Sequence, residues 1–367
     1  MTGSPRLLQT IFLSLGTALM AGWILIIGKA VIVPVLAAVI AVYVLINGAA
    51  WLRRWTVLRR CPGWLLHTAI LAAFVIGLFS MAAVVAVTLE EMVDRAPAYQ
   101  RNLEALAVRL AGTFGAESDP TWDDLRGMIF GQLDLPSRIG ALFASLTSVL
   151  GSVFVVIIYA GFLMGQWPSF PGKIADAFGA EGKGAWVLEI GGEINRKIGD
   201  YLTVKTLVNI VLGLLCYGVL WAVGVDFALF WAVCIGLLNY IPYLGSWLGV
   251  MLPVMLSFAQ FGEIWRTLLL TALLTAMQIF VGSVLEPRWI GRQLNLSPFV
   301  VILALSFWSA LWGIPGAILA VPLTSVLVII FNEFPGTRPI AVLISDVAQR
   351  EARASGSGPA AAADQPG

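Results

Sequence analysis

An apolar run from Ser297 to Phe331 is the feature that most constrains the fold, because its length suits neither one membrane crossing nor two. One helical span needs about 20 apolar residues, and two spans with their turn need roughly 40. The run is interrupted at Trp312-Gly-Ile-Pro-Gly316 and again at Pro322, so the backbone is predicted to bend or unwind there. We therefore interpret this run as a helical hairpin that dips into the membrane.

A second apolar run, from Phe227 to Ala259, is interrupted in the same way. Its interruptions are the segment Asn239-Tyr-Ile-Pro-Tyr-Leu-Gly245, then Gly249 and Pro253. Two apolar segments interrupted by proline and glycine are typical of a transporter whose binding site lies near the bilayer midplane. The alternative interpretation is a pair of long, tilted helices that are only kinked by proline.

The composition indicates a polytopic, all-α membrane protein. Hydrophobic residues make up 59% of the 367-residue chain and charged residues only 12%, with a mean hydropathy of +0.90, which excludes a water-soluble globular protein. No basic run interleaved with aromatic residues indicates a nucleic acid partner, and membrane lipid is the expected partner instead. The cysteines are odd in number and His67 has no second histidine or cysteine near it, so we expect no metal and no cofactor.

Residues 1–88 are predicted to form three amino-terminal spans. These are Leu7 to Ile27, Val31 to Ala50 after a tight turn, and Trp64 to Leu89. Four arginines, at positions 53, 54, 59 and 60, follow the second span. The positive-inside rule assigns such a cluster to the cytoplasm, and the amino terminus with it.

Residues 89–138 are predicted to form an extracytoplasmic helical insert, because they are acidic and carry apolar residues at helical spacing. A turn from Gly112 to Pro120 is expected to join its helices. Residues 139–202 are predicted to contain the fourth span, from Ile139 to Gly165. An amphipathic helix, within the segment from Lys173 to Lys205, is then expected to lie along the cytoplasmic face of the membrane.

Residues 203–347 are predicted to form the transport bundle, which contains both hairpins and two further spans, Thr203 to Trp221 and Leu268 to Leu285. If both interrupted runs return to the side from which they came, Arg288 and Arg292 face the cytoplasm, as the positive-inside rule favours. The hairpins then enter from opposite faces and their turns meet near the midplane. The chain is expected to have about six full spans plus two re-entrant hairpins, with a disordered cytoplasmic tail at residues 348–367.

Three motifs of the transport bundle resemble those of the autoinducer-2 exporter (AI-2E) family, whose members are also called PerM-type permeases. The motifs are Asn239-Tyr-Ile-Pro-Tyr-Leu-Gly245 with Pro253, Glu286-Pro-Arg-Trp-Ile-Gly-Arg-Gln-Leu-Asn-Leu-Ser-Pro298, and Trp308-Ser-Ala-Leu-Trp-Gly-Ile-Pro-Gly316 with Ala320-Val-Pro-Leu-Thr324. The order of elements also agrees over almost the whole chain. The resemblance implies a multi-pass transporter of the bacterial inner membrane that forms a homo-oligomer. It also implies relatives that export a small signalling molecule or exchange sodium for protons.

The sequence departs from the family pattern at two places. Ser246 stands where many members have a second proline after the glycine, and Val204-Lys205 replaces a common Gly-Gln pair. The first change is expected to loosen the turn of the hairpin. The second places a charge beside the pathway, although a lysine near the end of a span is expected to extend its amine to the membrane surface.

Three functions fit the sequence. The first is a secondary transporter, more specifically an exporter, of a small polar solute, which works by alternating access around the two hairpins. The second is a sodium (cation)/proton antiporter, which needs a titratable carboxylate at membrane depth. The third is a membrane scaffold that transports nothing. The segment Gly179-Ala-Glu-Gly-Lys183 is not followed by the Ser or Thr of a nucleotide-binding loop, so we expect neither an ATPase nor another enzyme.

The predicted substrate site lies between the hairpin turns and the neighbouring spans. Glycines let the backbone approach the cargo, and asparagines supply hydrogen bonds. The expected substrate-binding residues are Asn209, Asn239, Tyr240, Gly245, Ser297, Gly313 and Gly316. The expected hinge residues, which hold the broken helices open, are Pro242, Pro253, Pro298, Pro315 and Pro322. Glu286 is the expected coupling residue, by elimination, and its alternative role is to cap a helix or to pair with Arg288 or Arg292.

Overall fold

The computed structural model describes residues 4–53, 62–114, 135–179, 182–290 and 296–345. Helices account for the regular structure of these residues, apart from an isolated antiparallel bridge between Leu296 and Ser345. Among the described residues, 7 helices are long and apolar enough to cross a membrane. The predicted all-α polytopic membrane fold is therefore confirmed.

We number the described helices in chain order. They are α1 (Ser4–Ile27), α2 (Lys29–Leu52), α3 (Gly63–Phe114), α4 (Leu135–Gln166), α5 (Phe170–Phe178), α6 (Lys183–Val223), α7 (Ala228–Leu238), α8 (Leu244–Phe261), α9 (Ile264–Phe280), α10 (Glu286–Ile290), α11 (Pro298–Trp312), α12 (Ile314–Glu333) and α13 (Arg338–Ile344). A short 3-10 turn, Trp167–Ser169, joins α4 to α5, and a π-helical turn, Val281–Leu285, joins α9 to α10 without a break. α1 and α2 are separated by the single residue Gly28, whose amide donates to the Ile24 carbonyl at 2.7 Å and whose carbonyl accepts from the Ile32 amide at 2.8 Å. These are helical hydrogen bonds, so the tight turn expected between the first two spans stays a prediction.

Two helices are longer than the sequence predicts. The third span and the first part of the insert form one helix of 52 residues, α3, and the turn predicted from Gly112 to Pro120 lies largely outside the described residues. The amphipathic segment and the fifth span form one helix of 41 residues, α6, rather than a surface helix followed by a span. The change from polar to apolar composition near Thr203 brings no proline, so nothing ends the helix there.

Both interrupted runs are helical hairpins and not single kinked helices. α7 and α8 pack against each other across a turn at residues 239–243, and α11 and α12 pack across the single residue Gly313. The second helix of each pair is long enough to span a membrane by itself. The alternative of long helices that are only kinked is therefore wrong, while the depth of either hairpin in a membrane stays a prediction.

The predicted hinge prolines fall into two groups. Pro242 lies in the turn before α8, and Pro298 and Pro315 lie in the first turns of α11 and α12. A proline in the first helical turn loses no helical hydrogen bond, because amides there have no partner within the helix. Pro253 and Pro322 lie inside α8 and α12, which continue past them. The helix breaks therefore do not coincide with these two internal prolines.

The chain divides into two compact units, and each contains one hairpin. The first comprises Met1–Val44, Val155–Gly199 and Leu294–Gly367, and the second comprises Leu45–Phe154 and Asp200–Gln293. In the second unit, α6, α7 and α9 share an apolar core that holds α7 and so fixes the turn that follows it. Fully buried members of this core include Val208, Leu212, Leu220, Ile235, Leu270 and Leu274.

Candidate functional site

The turn between α7 and α8 comprises Asn239 to Tyr243 and is called the hairpin turn below. Pro242 cannot continue α7, because it has no amide hydrogen. As α8 begins, the Gly245 amide donates to the Ile241 carbonyl at 2.9 Å. A Cβ at position 245 would overlap the Leu238 carbonyl, so only glycine lets the chain return this closely.

The first residue of the hairpin turn is bonded to α6 through its side chain. Asn239 Nδ2 donates to Asn209 Oδ1 at 2.8 Å, and the two residues are 8% and 4% exposed. Asn209 Nδ2 is buried and makes no hydrogen bond of ordinary geometry among the described residues, although the Tyr240 hydroxyl is its neighbour. A buried amide without a full set of partners is unfavourable unless another group satisfies it. This amide pair therefore has capacity for a further partner.

Tyr240, the next residue, is also bonded to α6. Its hydroxyl donates to Thr206 Oγ1 at 2.7 Å, and Thr206 donates in turn to the Leu202 carbonyl at 2.7 Å. Ser246 Oγ, after the turn, is 3.5 Å from Asn239 Oδ1, which is the length of a weak hydrogen bond. Side-chain hydrogen bonds thus hold the hairpin turn against α6.

An ion pair between a buried lysine and a partly buried glutamate lies one helical turn from the amide pair. Lys205 Nζ is 2.6 Å from Glu286 Oε1, and the two side chains are 7% and 26% exposed. Lys205 and Asn209 are four residues apart and share one face of α6. Glu286 directly follows the π-helical turn, a geometry that is frequent at functional sites, and Tyr201 is buried beside it. Lys205 therefore faces a carboxylate inside the bundle instead of extending to the membrane surface.

A second polar network lies at the opposite end of the α7–α8 hairpin, and we call it the Asp226 network. Asp226 accepts hydrogen bonds from Arg95 Nη1 at 2.6 Å and from the Tyr99 hydroxyl at 2.8 Å. The Asp226 amide donates to Gln260 Oε1 at 2.8 Å, and Asn102 donates to the Gln260 carbonyl. These bonds attach α3 to the beginning of α7 and the end of α8, away from the hairpin turn.

The side chains around the hairpin turn offer amide and hydroxyl hydrogen bonds together with one pair of opposite charges. Such groups, placed inside an apolar bundle, are what orients a small polar ligand. Within the part of the chain that the structure describes, no three His, Cys, Asp or Glu side chains gather to hold a metal ion.

The sequence matches one family of transporters. A family model described as AI-2E family transporter matches residues 13–336. This chain belongs to that family. It is therefore a membrane transporter that crosses the membrane several times, as the apolar helices also indicate.

Several proteins of similar sequence are named as transport proteins. AI-2 transport protein TqsA of Escherichia coli (strain K12) is 29% identical over 324 residues, which are 86% of this chain and 90% of that protein. A sodium-lithium/proton antiporter of Halobacillus andaensis is 27% identical over 319 residues, which are 82% of this chain and 88% of that protein. The putative transport protein YhhT of Escherichia coli (strain K12) is 32% identical over 206 residues, or 56% of this chain and 57% of that protein.

In this AI-2E family transporter, part of the predicted substrate site comes together in the second unit. Asn209, Asn239, Tyr240, Gly245 and Glu286 all lie at the end of the bundle where α7 meets α8. Glu286 pairs with a lysine of α6, whereas the sequence offered the arginines that follow it as partners. The predicted clustering of these polar residues is thus present in one unit.

The other predicted substrate residues belong to the first unit and lie at its own hairpin. Ser297 caps α11 by accepting a hydrogen bond from the Val300 amide at 3.3 Å. Gly313, with φ of 66°, separates α11 from α12. A Cβ at Gly316 would overlap the Trp308 carbonyl, so this glycine lets the two arms pack closely. A substrate site shared by both hairpins stays a prediction.

The hairpin turn lies beside the start of the predicted fifth span rather than beside its middle. Its partners on α6 are Thr206 and Asn209, which come shortly after Thr203, where that span is predicted to begin. At 1.5 Å per residue they are only about 5–9 Å inside the span. Its depth in a membrane, and with it the expected position near the midplane, stays a prediction.

Sequence reasoning did not assign Tyr201, Thr206 or Gln278 to the site. Gln278 Nε2 is buried without a hydrogen-bond partner among the described residues, and it lies 3.3 Å from the position of a Cβ on Gly249. Tyr201 precedes Lys205 by one helical turn, so a polar stripe at four-residue spacing along α6 could have indicated it. Thr206 carries no such signal, since threonine inside a helix commonly bonds its own backbone.

Proposed function

We propose that this protein is a secondary transporter that exports a small polar solute and binds it at the hairpin turn of the second unit. The observation that carries the proposal is the side-chain bonding between the hairpin turn and α6, above all the buried pair Asn209 and Asn239. Buried amides in apolar surroundings are unfavourable unless they are hydrogen-bonded. A solute with its own hydrogen-bond donors and acceptors would bond these two amides as well as the amides bond each other.

The proposed mechanism is alternating access, with cargo and α6 competing for the same side chains. When Asn239 and Tyr240 are bonded to α6, the hairpin turn is closed against that helix. A polar cargo that replaces these hydrogen bonds lets the turn leave α6 without unsatisfied polar groups. The binding energy of the cargo then shifts the population toward the open state.

Glu286 is the proposed coupling residue. An ionisable side chain inside a membrane span is costly and is a functional-site hypothesis by default. Its ion pair with Lys205 joins α10 to α6, so a change of charge at Glu286 acts on the helix that holds the hairpin turn. An ion gradient or the gradient of the solute itself is the proposed source of energy.

Sodium (cation)/proton exchange is the second candidate function, because one relative is named for such an activity. Exchange needs a carboxylate that can accept a cation and a proton in turn. The Glu286 carboxylate already has the Lys205 ammonium as its counter-ion at 2.6 Å. This contact favours the solute transporter over the antiporter.

The proposed location is the bacterial cytoplasmic membrane, with both termini in the cytoplasm. The arginines at positions 53, 54, 59 and 60 support this orientation through the positive-inside rule. In that orientation the Lys205–Glu286 end of the second unit faces the cytoplasm. A homo-oligomer is proposed from the family resemblance.

Transport by the reconstituted protein tests the proposed function. Proteoliposomes containing wild type or Asn239→Ala are loaded with a panel of labelled small polar solutes, and efflux is measured with and without ion gradients. The variant removes an amide that the cargo is proposed to bond, and losing a hydrogen bond worth about 1–3 kcal/mol weakens cargo binding, so efflux should fall roughly 10-fold or more.

Asn332→Ala is the matched control, because Asn332 is an exposed amide near the end of α12. This control should transport at the wild-type rate. If Asn239→Ala also transports at that rate and is as stable as wild type, the hairpin turn is not the binding site.

A further inference from the structure

We propose that Lys205 takes the place of an inorganic coupling cation at Glu286, so that this transporter binds neither sodium nor lithium at that carboxylate. Glu286 remains the proposed coupling residue, and only its counter-charge is supplied by the protein itself. This inference rests on the solute export proposed above. It adds that transport of the solute does not depend on sodium or lithium. Its binding test does not require a known cargo.

The geometry of the ion pair supports this assignment. Lys205 Nζ lies 2.6 Å from Glu286 Oε1, which is within the contact distance of a charge-assisted hydrogen bond. The two residues lie on different helices, so folding of the bundle brings the ammonium to the carboxylate. A tethered group has a high effective concentration at its partner, whereas a free cation has to compete for the same oxygen from solution.

The burial of Lys205 separates this pair from an ordinary surface ion pair. A lysine near a span end usually extends its flexible side chain toward the membrane surface. The Lys205 side chain is instead only 7% exposed. Lys197, two turns earlier on α6, pairs with Glu193 at 2.5 Å while the side chains remain 42% and 30% exposed. Of these two pairs, the Lys205 pair is the more shielded from solvent, chiefly on its lysine side.

The energetics of buried ion pairs favour a functional interpretation. Removing two charges from water costs about as much as their attraction returns, so such a pair stabilises a fold little in comparison with apolar residues. Removing one partner leaves a buried charge uncompensated, which is strongly unfavourable. Glu286 without Lys205 would therefore need another cation or a proton. A neutral residue at position 205 should convert the internal counter-ion into a site for an external one.

Thermal unfolding of the purified protein in detergent tests the binding part of this proposal. Wild type, Lys205→Gln and Lys205→Arg are compared in sodium, lithium and choline chloride at equal ionic strength. Wild type and Lys205→Arg should have the same Tm in all three salts, since both retain a tethered cation. Lys205→Gln should have a lower Tm in choline and should regain roughly 2–4 °C in saturating sodium or lithium.

Two further variants serve as controls. Lys197→Gln removes the exposed pair on the same helix and should show no dependence on the cation. The double variant Lys205→Gln with Glu286→Gln has no carboxylate to neutralise, so the sodium and lithium response of the single variant should disappear. A response that survives in the double variant would place the cation elsewhere and overturn the proposal.

The remaining outcomes are also decisive. A folded Lys205→Gln protein whose Tm is the same in all three salts at alkaline pH, where a proton does not replace the cation at Glu286, would overturn the proposal. If that variant does not fold, binding of radioactive sodium to wild type and to Glu286→Gln decides instead. Absence of binding to both supports the internal counter-ion, and binding to wild type that Glu286→Gln abolishes contradicts it.

The transport part rests on the proposed function and is measured separately. Efflux by wild type should be equal in sodium and choline, whereas efflux by Lys205→Gln should require sodium or lithium. If no solute is transported by any protein while the Tm pattern is as expected, the proposed solute export fails and the counter-ion assignment stands. If transport occurs but wild type needs sodium, the counter-ion assignment fails and export stands.

Discussion

At the residue scale, Gly245 decides whether the hairpin turn can form. A Cβ at this position would overlap the backbone carbonyl of Leu238, and backbone atoms cannot move aside as a flexible side chain can. Gly245→Ala should therefore force α8 away from α7 and lower the free energy of unfolding by about 1–3 kcal/mol, as overpacking does in other cores. The measurement is the Tm of the purified variant in detergent.

Gly218→Ala is the control for that substitution. Gly218 also lies in a helix of the second unit, but a Cβ there meets nothing within 4 Å. This variant should unfold at the wild-type temperature or slightly above it, because alanine favours the helix more than glycine does. Equal Tm values for the two alanine variants would mean that the arms of the hairpin separate without cost.

The sequence indicated some residues of the site and not others for physical reasons. Asn209 and Asn239 stood out because amides inside apolar runs need partners, and they proved to be partners of each other. The pairing of Lys205 with Glu286 was not predicted, since extension to the membrane surface is the usual behaviour of such a lysine. Contact between residues so far apart in the chain depends on packing, which no local pattern reveals.

At the scale of elements, the positions at which helices break are easier to predict from the sequence than the lengths of the helices. The turns at residues 239–243 and at Gly313 follow from proline and glycine together, which end a helix and allow the chain to reverse. The internal prolines Pro253 and Pro322 each remove one helical hydrogen bond, and α8 and α12 continue past them. The full lengths of α3 and α6 are not evident from the sequence. A helix that continues out of the membrane becomes more polar in composition while its backbone stays helical.

The Asp226 network is the element-scale feature that fixes the far end of the hairpin to α3. Asp226→Asn should keep hydrogen-bonding atoms in place but remove the ion pair with Arg95, whose side chain is 52% exposed. Because solvent screens this pair, the expected loss is about 1 kcal/mol, and it should shrink at high salt. Tm values at low and high salt measure both effects.

A matched exposed pair shows whether burial matters in this network. Arg266 and Glu263 are 2.9 Å apart, and their side chains are 51% and 50% exposed. Arg266→Gln should change the Tm less than Asp226→Asn does, because a pair whose two side chains are both half exposed contributes little, whereas Asp226 is only 18% exposed. A larger effect at Arg266 would mean that the Asp226 network does not anchor the hairpin to α3.

At the scale of the whole molecule, the helices of the second unit have a definite order along its length. The part of α6 that belongs to the second unit begins at Asp200, so it has Lys205 near one end and Val223 at the other, where the chain turns into α7 near Asp226. α7 returns to the level of Lys205, α8 leads back toward the Asp226 network, and α9 with α10 brings Glu286 to Lys205 again. Residues after Glu286 and residues between α8 and α9 therefore lie at opposite ends of this unit.

This order gives a topology that single-cysteine labelling can test. In a background in which Cys61, Cys216 and Cys234 are replaced, Arg288→Cys and Glu263→Cys introduce exposed labelling sites after Glu286 and between α8 and α9. If the Lys205 end faces the cytoplasm, as the positive-inside rule favours, a membrane-impermeant thiol reagent should label position 263 in intact cells. It should label position 288 only after the cells are opened.

Protein yield and Tm of each variant serve as controls, because a misfolded protein could be labelled from either side. Labelling of both positions from the same side would contradict the antiparallel order of α8 and α9. Labelling of position 288 alone in intact cells would retain that order and reverse the orientation. In that case the hairpin turn and the Lys205–Glu286 pair would face the outside, and the direction of transport proposed here would have to be reversed with them.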